Sequence, residues 1–166
     1  MKLVGIFILS LIPVILSFRW SGELRQKQKL RKAFGEFLAH VHFQIENFLR
    51  EQKEILSHYE NPVLEKSAFY QEYRCRLSKT PCDAFDYAWK KHGKDFGFDG
   101  ECEEILGALA QHFGLQEKGA QLAELKHALS LLEPAEAKDK KECENKVKIL
   151  HVSGITAGLG IMILLL

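Results

Sequence analysis

Residues 3–18 (LVGIFILSLIPVILSF) and 152–166 (VSGITAGLGIMILLL) contain no charged side chain, and nearly every charge of the chain lies between them. A helix that crosses a bilayer needs about 17–25 apolar residues at a rise of 1.5 Å each. Both runs sit at the short edge of that range. Arg19 can snorkel and Trp20 can lie at headgroup level, which lengthens the first run, and the second extends back to Ile149. Pro13 is tolerated better in a membrane helix than in a soluble one, since neighbouring helices and hydroxyl side chains re-satisfy the freed backbone group, and it is expected to kink the helix. The expected organisation is a transmembrane helix over 1–19, a cytosolic helical domain over 20–148 and a second transmembrane helix over 149–166. A cleaved signal peptide is the alternative for the first run. Ile15-Leu16-Ser17-Phe18 is a poor small-residue cleavage site, and the basic stretch after it suits a retained anchor.

Lysines and arginines set the expected orientation. Arg19, Arg25, Lys27, Lys29, Arg31 and Lys32 follow the first run, and Lys138, Lys140, Lys141, Lys146 and Lys148 precede the second. The positive-inside rule puts the middle domain in the cytoplasm and both termini outside. Cys75, Cys82, Cys102 and Cys143 agree with a reducing compartment, which requires no pairing among them. A net charge of +1 excludes a strongly basic nucleic-acid binder.

The middle domain reads as all-α, an antiparallel helical bundle flanked by the two transmembrane helices. No period-two alternation persists, while steps of three and four run through Leu30, Phe34, Phe37, Leu38, Val41 and Ile45. This predicts a helix over about 21–57, broken at Asn61-Pro62, and a second over about 63–77. Thr80-Pro81-Cys82-Asp83 reads as the start of a third, with Thr80 as cap and Pro81 in its first position. Gly93 to Gly100 (GKDFGFDG) is a turn, and the next helix carries Cys102, Leu106 and Leu109 before Gly114 ends it. The last begins near Glu117, with Leu122, Leu125, Leu129 and Leu132 as a seam. Pro134 is expected to kink it or begin a new segment.

No catalytic or metal constellation emerges, and the chain is expected to be no enzyme and to carry no cofactor. The cysteines are not spaced as CxxC. His40 and His42 fall on different helix faces, not at the i, i+4 spacing of a zinc site. Asp95 and Asp99 lack the ligand spacing of a calcium loop. Phe96 and Phe98 either form an exposed contact for a partner or fold back on the bundle, the more frequent fate of large aromatics. Gly154 and Gly158 form GxxxG, a surface that lets two helices approach closely in lipid, either within one chain or by self-association. Gly5, Ser10 and Ser17 are the small residues the first span offers.

The order of these features resembles the stage III sporulation protein AB family, over essentially the whole length. Its most specific part is Leu109-x3-Phe113-Gly114-x6-Gln121, then Ala137, and then Gly154-x3-Gly158-Leu159-x-Ile161-x-Ile163-Leu164. Ala84 to Trp89 also resembles the family's helix ending in alanine–tryptophan. The resemblance implies a component of a secretion-like or feeding channel between mother cell and forespore, in the mother-cell membrane around the forespore. It is similar to the inner-membrane platform proteins of type II secretion and type IV pilus systems. The implied partner is a cytosolic secretion-type ATPase, the AA member. The alternatives are a platform protein of another secretion or pilus system, and a membrane-tethered metal-dependent enzyme or sensor using residues such as Cys102 or His112.

Overall fold

The structure, a computed structural model, describes the backbone of residues 2–48, 54–55, 58–77, 81–114 and 117–165, and their side chains except those of residues 2–4, 6, 7, 81 and 82. It is all-α, with no strand among the described residues. The helices are α1 (Lys2–Phe48), α2 (Ala68–Leu77), α3 (Pro81–His92), α4 (Gly100–His112) and α5 (Lys118–Leu165), with a 3-10 turn at Gly93–Phe96. The Thr80 cap, and the expected continuation of the first helix through Leu49 and Leu56, lie outside the described residues. The apolar N-terminal run and the helix predicted after it are one element, α1. Pro134 begins no new segment, since α5 passes through it. Proline there removes one N–H, and the orphaned carbonyl of Ser130 belongs to an exposed residue that water can reach.

Two compact units divide the chain, residues 1–28 with 138–166, and residues 29–137. The boundaries expected at 19/20 and 148/149 mark where the apolar runs stop. Packing divides further along both helices, because Ser21, Cys143 and Val147 are buried beyond the last apolar residues.

In the second unit, aromatic residues supply the core. Phe34 is fully buried, with its ring centroid 5.5 Å from that of Phe69, 5.6 Å from Trp89 and 4.7 Å from Phe96. Phe85 stacks on Phe113 at 4.3 Å, and Tyr73 meets Phe85 edge-on at 5.2 Å. Such offset and edge-to-face pairs add to area burial. Burial pushes the Tyr73 phenol far above its ordinary range and raises that of Tyr59 to about 12.

Local signals explain where the short elements begin. The side chain of Asn61 accepts from the backbone N–H of Val63 (3.0 Å) and Leu64 (3.1 Å), an Asx cap that sets the turns over residues 62–67. Ser67 then caps α2, its Oγ accepting from the Tyr70 amide at 3.2 Å. The second helix predicted from about residue 63 therefore starts at Ala68, after these turns. In α3, Pro81 holds the first position, Asp83 the first turn and Lys90, Lys91 and His92 the last, in accord with the helix dipole. Asp99 caps α4 by accepting from the Cys102 amide at 3.3 Å, and Gly114 follows it at φ 85°, a conformation glycine adopts without strain.

Candidate functional site

The first unit is an inside-out helix pair. Its buried residues are Ser10, Ser17 and Ser21 on α1 and Cys143, Val147, Gly154 and Gly158 on α5. Its exposed residues include Ile8 (58 %), Ile15 (62 %) and Phe18 on α1, and Val152, Ile163 (75 %) and Leu164 (86 %) on α5. Among the described residues one helix, α5, is long and apolar enough to cross a membrane, with a window of mean hydropathy 1.8. The expected N-terminal span runs through the side chains of residues 3, 4, 6 and 7, which lie outside the described residues.

The two helices of this unit run antiparallel and meet through the GxxxG surface. A Cβ placed on Gly154 would fall 2.5 Å from Ser17 Oγ and 3.1 Å from the carbonyl oxygen of Pro13. One placed on Gly158 would fall 2.6 Å from the carbonyl oxygen of Ser10. Only glycine leaves room for backbones this close. The surface that the sequence offered to either partner is thus occupied by α1 of the same chain. Gly160 has open space around it. Ser17 donates its hydroxyl to the Val14 carbonyl at 2.7 Å, so it buries no orphaned donor in the seam.

One polar contact closes this seam. Ser21 Oγ lies 2.9 Å from His151 Nε2 and donates its own proton to the Phe18 carbonyl at 2.9 Å. With the hydroxyl proton on the Phe18 carbonyl, the Nε2–H tautomer of His151 completes the shared bond as donor. The imidazole also packs on the Phe18 ring at 4.5 Å. Ser21 was not singled out in the sequence, since nothing local pointed to a partner 130 residues away.

The reading of Phe96 as an exposed contact is corrected. Phe96 is fully buried, and Phe98, half-buried, lies with its ring 5.8 Å from that of Phe96 and 6.3 Å from Trp89. Both fold back on the bundle, as their apolar area demands in water. The turn that carries them is held by Arg31 of α1, whose Nε donates to the Phe96 carbonyl at 2.7 Å and whose Nη2 donates to that of Gly97. Its guanidinium lies 5.7 Å from the Phe98 ring centroid. Gly97 takes φ 63°, the left-handed region glycine favours.

On the surface, Glu72 of α2 accepts from Lys91 of α3 at 2.7 Å and from Arg76 at 2.7 Å. These bonds, Lys91 first, hold its carboxyl down at about 2. The Arg76 guanidinium lies 3.5 Å from the centroid of the Tyr87 ring, a cation–π contact that joins the same two helices. Glu72 and Arg76 stand at i, i+4 on α2, while nothing in the sequence marked Lys91 and Tyr87 as their partners.

No group of three or more His, Cys, Asp or Glu that could hold a metal is found among the described residues. Cys102 is buried and Cys75 exposed, on different helices. A surface depression by Cys75 is lined by Glu65, Tyr70, Gln71 and Arg74, and another by Trp89, Lys90, Lys94, Gly100, Glu103 and Glu104.

No curated protein and no solved structure matches the chain. The model of the family described as stage III sporulation protein AB matches residues 2–166. The chain therefore belongs to the stage III sporulation protein AB family.

Proposed function

We propose that this protein is a non-enzymatic membrane platform of the sporulation channel between mother cell and forespore, docking the cytosolic AA-type ATPase through its helical domain. Family membership supports the sporulation role. The observation that carries the platform reading is the inside-out helix pair, with small and hydroxylated residues within and Ile8, Ile15, Val152 and Ile163 without. Water would favour the reverse; a hydrocarbon surrounding removes the cost of exposing apolar side chains and makes close packing of small residues the main attraction. In this reading α1 and α5 both cross the membrane, and residues 29–137 lie in the mother-cell cytoplasm on the side of the basic residues.

The test is deletion of the gene followed by complementation. Spore maturation is expected to stop after engulfment, and the ATPase is expected to co-purify with the tagged full chain from sporulating membranes. Normal heat-resistant spore yield in the deletion strain would refute the role. Normal co-purification by a chain lacking residues 29–137 would refute the docking surface.

A further inference from the structure

The basic residues of the first unit are positioned for more than orientation. Residues 1–28 and 138–166 carry nine Lys and Arg against four Asp and Glu, whereas residues 29–137 carry fourteen against eighteen. The excess lies where the apolar runs stop. On α1, Arg19 follows Phe18 directly and Arg25 comes six residues later; on α5, Lys146 and Lys148 immediately precede Ile149. The Ser21–His151 bond and the Phe18–His151 contact bring these two limits to one height on the antiparallel pair. At 1.5 Å per residue, Arg25 lies about 9 Å beyond Arg19, and Lys146 about 5 Å before Ile149. All four therefore fall within about one Debye length of a headgroup layer at that height. Each is exposed. Arg19 has Glu23 at 3.8 Å and Lys146 has Glu142 at 3.2 Å, while Arg25 and Lys148 form no ion pair among the described residues.

We propose that Arg19, Arg25, Lys146 and Lys148 form a collar that binds the phosphate headgroups of anionic phospholipids and concentrates those lipids around the helix pair. Intramolecular carboxylates neutralise only part of the collar, and the exposed apolar sides of both helices bring acyl chains alongside it. Lipid supplies phosphate and hydrocarbon together, a combination an acidic protein surface lacks. This rests on the proposed membrane anchoring, and the experiment separates the two.

Trp20 is 55 % exposed beside Arg19, and the other tryptophan, Trp89, is 7 % exposed in the core of the second unit, so Trp20 reports on the collar. The full chain is reconstituted in phosphatidylcholine vesicles containing an equal minor fraction of acyl-brominated phosphatidylglycerol or acyl-brominated phosphatidylcholine. The brominated anionic lipid is expected to quench Trp20 roughly twofold or more as strongly as the neutral one. Raising the salt should bring that ratio toward one without any substitution. The triple variant R25Q/K146Q/K148Q should do the same while quenching by the neutral lipid persists. Equal quenching of the unmodified chain by both lipids at low salt would overturn the proposal, assigning the collar to an acidic protein partner and leaving the anchor intact. Quenching by neither lipid would overturn the anchor reading as well.

Discussion

The guanidinium of Arg31 donates from Nε to the carbonyl oxygen of Phe96 at 2.7 Å, tying α1 to the turn that completes the aromatic core. Hydrogen bonds from a charged donor contribute about 1.5–3 kcal/mol each when their loss leaves a partner unsatisfied. Arg31→Met, which keeps the aliphatic stem, is expected to lower the unfolding free energy of the full chain in detergent by about 2 kcal/mol. Arg31→Lys should recover only part of this, because a single ammonium cannot reproduce the planar fork that reaches both Phe96 and Gly97. Urea unfolding followed by near-UV circular dichroism measures both.

Gly158→Ala and Gly160→Ala make a matched pair in the same helix. The first sets a methyl 2.6 Å from the Ser10 carbonyl oxygen, a backbone atom that cannot move aside cheaply; the second meets nothing within 4 Å. Overpacking of this kind costs about 1–3 kcal/mol. Gly158→Ala is expected to lower the thermal midpoint of the detergent-solubilised chain, with Gly160→Ala close to wild type. Equal midpoints for the two variants would contradict the close approach of α1 and α5.

Glu72 predicts an acid dependence. Its carboxyl is held at about 2 in the folded chain against an ordinary 4.5, by Lys91 and then Arg76. A depressed folded value means that the unfolded chain binds the proton first as pH falls. The stabilisation from Glu72 is therefore fully present above about pH 4.5 and lost as pH falls toward 2. The difference in thermal midpoint between wild type and Glu72→Gln should be widest above pH 4.5 and close across that window. A difference independent of pH would show that the carboxylate charge is not what joins α2 to α3.

Asn61 marks the break between α1 and the turns before α2. Asn61→Ala removes the acceptor for the Val63 and Leu64 amides and should cost about 1 kcal/mol, with Asn61→Ser restoring part of it. Chemical denaturation of the three proteins side by side settles the ranking.

Periodicity and punctuation carried most of the fold into the sequence. The apolar stripe through Phe34, Phe37, Leu38 and Val41, the Pro81 start of α3 and the Gly114 stop after α4 were all legible, because each acts within a few residues of itself. Long-range pairings were not. Ser21 and His151, Arg31 and Phe96, and Glu72 and Lys91 meet only after the chain has folded, and no local pattern specifies such partners. Phe96 shows the same limit: folding back was the more frequent fate of a large aromatic, but the arginine of α1 that draws the turn onto the core lies 65 residues away and nothing local names it. Gly154 and Gly158 were legible as a packing surface, while α1 as the helix that fills it is a long-range pairing that no local pattern specifies.

The close seating of Gly154 and Gly158 against α1 has one more consequence. The first unit is assembled from opposite ends of the chain, with Ser10 and Ser17 from one and the glycines from the other. Peptide continuity through residues 29–137 is therefore not its sole bond. A chain nicked at an exposed peptide of the middle unit should still migrate as one particle in mild detergent, and two separately expressed halves should find each other in the bilayer and reconstitute it.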